Sequence, residues 1–175
     1  MTSVTEALET DITLSLSQLR RHYGLTTEKA RALRLLTHMP KVGRTKQSVG
    51  HPIRFFLLSK YRRYANLKGH DIRHLAGMAE MRHFLKAKTQ EWSTRDLGTP
   101  KGGLPDAEWQ YRHERAAIEF DAGSYDRAKL TAKAEAFSRY DEQIWGAATK
   151  QRVTYLREHF AQTDIRVLVI LACWY

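Results

Sequence analysis

A mixed α/β (α+β) fold in two parts, residues 1–68 and 69–175, is predicted from three features of this 175-residue sequence. Basic charge is concentrated at the front: residues 1–90 carry 17 Lys+Arg against 6 Asp+Glu, whereas 91–175 carry 12 against 13. Two short helical patterns separated by Gly24 precede a glycine-containing, β-compatible stretch from Lys41 to Leu58. Beyond residue 69, helical periodicity alternates with short strand patterns, the signature of a mixed sheet with helices packed on it.

In the first part, Ser15 or Ser17 is suited to cap a helix through Gln18–Tyr23 that stops at Gly24. Thr26 caps a second helix with Glu28 in its first turn, predicted to run through Ala30, Leu33, Leu35 and Leu36 to about His38, where Pro40 ends it. Lys29, Arg31 and Arg34 are its basic residues. Lys41–Leu58 then reads as a two-stranded hairpin with its tip near Ser48–Pro52. A hairpin after the second helix of a helix-turn-helix is a wing. Such a winged helix-turn-helix presents Arg31 and Arg34 to bases or phosphates, and Lys41, Arg44, Lys46 and Arg54 to phosphates. Leu33, Leu36, Phe55 and Leu57 read as core. Lys60–Tyr64 reads as a linker helix whose tyrosines pack on the hairpin, with base stacking as the alternative.

In the second part, Ile72, Leu75, Ala76, Ala79, Phe84 and Leu85 mark one amphipathic helix over 70–88. Gly98–Gly103 is loop chemistry. Residues 107–112 and 116–121 alternate as the two strands of a hairpin, and 126–140 and 152–160 read as helices. Residues 166–172 form a continuously apolar run, expected to be a strand buried on both faces.

Composition narrows the function. Within 12–70 there are 13 basic residues and one acid, Glu28. Such a field attracts polyanions, of which nucleic acid is the usual one. No apolar run approaches the roughly 18–20 residues that span a bilayer. Met1–Glu6 lack a basic stretch followed by an apolar one, so no secretory signal is expected. The single Cys173 rules out an intramolecular disulfide and a cysteine-rich zinc site. A reducing, cytoplasmic setting with nucleoid or plasmid association is therefore expected. There is no phosphate-binding Gly-x-x-x-x-Gly-Lys-Ser/Thr loop. His70 and His74 stand four apart at a helix start, but with no evident third ligand they read as a solvated pair.

The chemistry-bearing residues lie in the second part. Asp106 opens the first strand of the 107–121 hairpin, and Glu119 and Asp121 end the second, two apart and hence on one face. The three carboxylates are expected to converge at one sheet edge, an oxygen-donor set suited to Mg²⁺ or Mn²⁺. Lys129 and Lys133, one turn apart on the following helix, can aim an ammonium at them. In the opposing reading the carboxylates pair with Arg115, Arg127 or those lysines, and the fold only binds.

Pro105-Asp106, a spacer, Glu119-x-Asp121 and then a helical lysine resembles the PD-(D/E)XK nuclease-like superfamily. Joined to an N-terminal winged helix, the pattern is similar to the bacterial replication-relaxation proteins of plasmids and other mobile elements. The matching stretches are Gly103–Trp109, Ile118–Ser124 and Lys129–Tyr140, within a resemblance running from about Leu14 to Ala172. It implies metal ligands at Asp106 and Glu119 and a lysine that positions water or stabilises the transition state. The slot two residues after the acid, where the superfamily's common pattern has that lysine, holds Asp121; Lys133 or Lys129 would take the part.

Two functions follow as expectations. The first is a DNA-binding protein of a bacterial plasmid or mobile element, acting in its replication, maintenance or regulation with a non-catalytic nuclease-like body. The second is an Mg²⁺-dependent DNA endonuclease with Asp106, Glu119, Asp121 and Lys133 or Lys129 in its site. An adaptor that uses the winged helix for protein contacts is a third. A homodimer is compatible with either of the first two, and no membrane partner is expected.

Overall fold

A computed structural model describes residues 3–43, 49–67, 69–95 and 103–175. Arg44, Lys46 and most of the Gly98–Gly103 loop lie outside them. The chain folds as a mixed α/β structure with three sheets. Among the described residues no helix is long and apolar enough to cross a membrane.

The first helix, α1 (Val4–Asp11), leads into β1 (Thr13–Ser15). Neither is evident in the sequence, where residues 1–14 show no sustained period. Ser15 then caps α2 (Leu16–Tyr23) with a full capping box: its hydroxyl accepts from the Gln18 N–H while the Gln18 side chain accepts from the Ser15 N–H. Gly24 closes α2 in the left-handed conformation (φ 62°), which a residue without Cβ adopts freely. Thr26 caps α3 (Thr27–Ala32).

The sequence extends that second helix to His38, and the structure corrects this. α3 stops at Ala32, Arg34 takes φ 55°, and Leu36–His38 form β2. Leu33, expected in the core, is 47% exposed. Tertiary pairing overrides helix propensity here: β2 pairs with β5 (Phe55–Leu57), which pairs in turn with β1, giving an antiparallel sheet in the order β1–β5–β2. Phe55, Phe56 and Leu57 are fully buried. The hairpin continues outward as β3 (Lys41–Val42) paired with β4 (His51–Pro52). His51 and Pro52 are thus in a strand rather than at the tip. A 3₁₀ segment, Ser59–Asn66, follows. Tyr64 and Tyr61 pack with Leu57 and Leu36 of the hairpin strands as expected, and the Tyr61 hydroxyl also donates to the Glu9 carbonyl of α1 at 2.7 Å.

The long helix α4 (Gly69–Phe84) packs against α1 and β1 and also against two later strands, β8 (Glu114–Asp121) and β9 (Glu142–Ala147). The main sheet runs β10–β9–β8–β7–β6, built from β6 (Trp92–Thr94), β7 (Ala107–Tyr111), β8 (Glu114–Asp121), β9 (Glu142–Ala147) and β10 (Leu168–Leu171). β6, β7 and β8 are antiparallel neighbours, while β8, β9 and β10 are parallel. α5 (Arg127–Ala136) connects β8 to β9, and α6 (Lys150–Phe160) connects β9 to β10. Two strands of this sheet, β6 and β9, are not expected from the sequence. The interior strand β9, between β8 and β10, is missed because six residues containing Gly146 show neither clean alternation nor a helical period. The expected strand at 166–172 is β10, shorter and at the sheet edge with Leu168 52% exposed, while Val169 and Ile170, on opposite faces, are both buried as expected.

The front and rear parts share a core. One buried cluster contains Val42 and Phe55 together with Ile72, Met81, Ile118, Phe120, Ile144 and Trp174. The Ser15 hydroxyl donates to the Trp174 carbonyl at 2.5 Å, and Gln18 donates to the Ala76 carbonyl at 2.9 Å. Two glycines let α4 lie close to the sheet. A Cβ on Gly77 would stand 2.4 Å from the Phe120 ring, and one on Gly146 would stand 2.4 Å from Met81 Sδ. Gly77→Ala should therefore cost about 1–3 kcal/mol through overpacking against a fully buried ring. Urea denaturation checks this, and an unchanged midpoint would mean that the helix can shift freely.

Candidate functional site at the ends of β7 and β8

The antiparallel register sets Ala107 opposite Ile118, which brings Asp106, just before β7, beside Glu119 on β8. Asp106 Oδ2 accepts the Phe120 N–H at 3.0 Å, tying the carboxylate to the strand edge. The same oxygen lies 2.7 Å from Nε2 of His74 on α4. His74, Asp106 and Glu119 each offer a ligand atom, and these atoms lie within 4.8 Å of one another. Asp106 and Glu119 thus meet as expected. His74, read in the sequence as half of a solvated pair, is the residue that joins them. Its third-ligand context was invisible because Asp106 and Glu119 lie 32 and 45 positions further along the chain.

Glu119 is fully buried. Its Oε1 accepts the Tyr125 hydroxyl at 2.8 Å and the Lys133 ammonium. Its Oε2 is buried with no hydrogen-bond partner. Lys133 is therefore the helical lysine that reaches the carboxylates. Lys129 stays exposed, with its ammonium 4.7 Å from the Tyr125 ring centroid. The helix positions them through its N-cap, where Asp126 accepts the Lys129 N–H at 2.8 Å.

Asp121 shares the face of Glu119 but stands outside the trio. Arg152 of α6 donates from Nε to Asp121 Oδ2 at 2.6 Å, and a second guanidinium nitrogen lies 2.5 Å from the same oxygen. Oδ1 accepts the N–H groups of Gly123 (2.7 Å) and Ser124 (3.2 Å). With both oxygens engaged, Asp121 anchors the loop after β8. Arg115, a candidate partner for these acids, pairs with Glu108 at 2.9 Å instead.

The electrostatics of the pair are opposed. Burial pushes Asp106 up, but His74, Lys133 and the Phe120 N–H outweigh it and hold the carboxyl below the usual range. Burial, then the neighbouring Asp106 charge, pushes Glu119 up against the pull of Lys133. Two adjacent carboxyls are thus driven apart in acidity, an arrangement typical of sites that handle protons or cations.

The basic residues of the first part have a different environment. Lys29 and Arg31 on α3, Arg34 just beyond it and Lys41 on β3 are all exposed, and none forms an ion pair among the described residues. Arg54 is half-buried and donates to Thr27 Oγ1 at 3.2 Å, bracing β5 against the start of α3. Compared with family models, curated proteins and solved structures, the chain matches none.

Proposed function

We propose that the protein binds DNA through a winged helix-turn-helix formed by α2, α3 and the β2–β5 hairpin, and that residues 69–175 are a nuclease-like body that serves binding rather than cleavage. The β1–β5–β2 order behind two short helices supports the first half of this reading. The order of helix α4, antiparallel β6, β7 and β8, helix α5 and parallel β9 supports the second. A role in replication, maintenance or regulation of a bacterial plasmid or mobile element, as in the replication-relaxation proteins, is the setting that the resemblance implies.

One observation carries the reading: four basic side chains on α3, just beyond it and on β3 are exposed without an ion pair among the described residues, while the three acids of the body are each partnered. In the body, Asp106, Glu119 and Asp121 each face a cationic or basic side chain, His74, Lys133 and Arg152 respectively. At the front, Lys29, Arg31, Arg34 and Lys41 stand in solvent and make no ion pair among the described residues, a surface that a polyphosphate would neutralise with counterion release. The triple substitution Lys29→Ala, Arg31→Ala and Lys41→Ala should weaken duplex binding by about 100-fold and flatten the salt dependence by about three units of slope. Fluorescence anisotropy across a salt series measures both. Undiminished affinity, or a wild-type affinity indifferent to salt, would overturn the proposal.

A second reading is favoured by the closeness of the Glu119 and Asp106 carboxylates and by a Glu119 Oε2 without a hydrogen-bond partner: a metal-dependent endonuclease in which these two carboxylates hold Mg²⁺ or Mn²⁺. Bound there, a divalent ion would supply charge neutralisation and an activated water at a phosphodiester. Lys133 would face the developing negative charge. Nicking of supercoiled plasmid that disappears in Asp106→Ala would establish this reading; absence of nicking in either ion would discard it.

A further inference from the structure

We propose that His74, Asp106 and Glu119 form a divalent-metal site of mixed nitrogen and oxygen donors, which takes a first-row transition ion such as Mn²⁺ in preference to Mg²⁺. The inference rests on the same carboxylate pair as the endonuclease reading but requires no cleavage. It differs from the set expected in the sequence, three oxygen donors from Asp106, Glu119 and Asp121, by exchanging the third carboxylate for an imidazole.

Three observations carry it. The first is distance. Metal–ligand bonds of about 2.1 Å place ligand atoms at most about 4.2 Å apart. The widest pair in the trio is within 4.8 Å, so small side-chain rotations bring all three onto one ion. The second is the state of Glu119. Tyr125 and Lys133 hold Oε1, which orients the carboxylate from behind, while Oε2 is buried without a partner. An unsatisfied buried carboxylate oxygen is costly, and a cation beside Asp106 would satisfy it. The third is rigidity. His74 is on α4 and Glu119 near the end of β8, Asp106 just before β7 is tied to the Phe120 N–H, and α4 is pressed onto the sheet where Gly77 meets Phe120. A site on packed elements holds its geometry better than one on a loop.

Asp121 is unsuited to complete the set, because Arg152 and two backbone N–H groups already occupy its oxygens. The nitrogen donor then decides the ion. Mg²⁺ takes oxygen ligands and gives up its waters reluctantly, whereas transition ions accept imidazole readily.

The test uses the chelator-stripped full chain without DNA. Titration with Mn²⁺ and with Mg²⁺, followed by thermal shift and by electron paramagnetic resonance of bound Mn²⁺, should give Mn²⁺ binding at least roughly tenfold tighter than Mg²⁺, with magnetic coupling to one imidazole nitrogen. His74→Ala should remove that coupling and weaken Mn²⁺ binding roughly tenfold or more. His74→Asp, which restores an oxygen donor, should narrow the gap between the two ions. No Mn²⁺ binding at millimolar concentration, or binding without nitrogen coupling, would overturn the inference. The wild-type spectrum decides the matter even if the variants do not fold. Plasmid nicking assayed in parallel separates the two readings: metal binding without nicking discards the endonuclease and keeps the site.

Discussion

Asp11→Ala should lower the unfolding free energy by about 3–5 kcal/mol, the cost of leaving a buried charge without its partner. Asp11 ends α1 and Arg82 lies near the end of α4, and both are almost wholly buried. The guanidinium meets the carboxylate through two bonds, Nε to Oδ1 at 2.7 Å and a terminal nitrogen to Oδ2 at 2.6 Å. Arg82 also donates to the Ala87 carbonyl at 3.2 Å. Removal of the carboxylate leaves a buried positive charge facing neutral groups, the Ala87 carbonyl and His83 Nε2 at 3.4 Å among them. The double variant Asp11→Ala/Arg82→Met should be less destabilised than Asp11→Ala alone, because no charge remains to be desolvated. Urea denaturation of the wild type, both single variants and the double variant gives the coupling. A loss under about 1 kcal/mol in Asp11→Ala would mean that water reaches the pair.

Asp121→Ala should destabilise the metal-free protein by about 3 kcal/mol. Its oxygens satisfy the Arg152 guanidinium and the Gly123 and Ser124 N–H groups, so its loss strands three partners at the start of the connection into α5. Arg152 also donates to the Tyr125 carbonyl at 2.5 Å, and Tyr125 holds Glu119, so the loss should propagate to the carboxylate pair. Denaturation in the presence of a chelator measures the effect. Were Asp121 a metal ligand rather than an anchor, the substitution would instead leave chelated protein unaffected and show its cost only when metal is added. That pattern would restore the three-carboxylate site.

Much of the site was legible before folding. Asp106, Glu119 and a lysine two turns into the next helix stand at spacings that a hairpin and a following helix convert into proximity, because register and helical pitch are local regularities. Lys133 and not Lys129 makes the contact, a choice of one turn that depends on how α5 sits on the sheet. His74 and Arg152 carry no such signal. Each is an ordinary residue on its own helix, and each acquires a role only because that helix packs against the strands bearing the acids.

The same division runs through the fold. Caps and stops such as Ser15, Gly24 and Thr26, the 107–121 hairpin and α5 follow from short-range chemistry that any chain of this composition would feel. Where α3 ends, that Leu36–His38 is a strand, that Glu142–Ala147 is a strand between β8 and β10 and that front and rear share a core were decided by long-range contact. A residue's partners in a sheet or across a helix are separated from it by tens of positions. The free energy of those contacts exceeds the few tenths of a kcal/mol per residue that distinguish one local conformation from another.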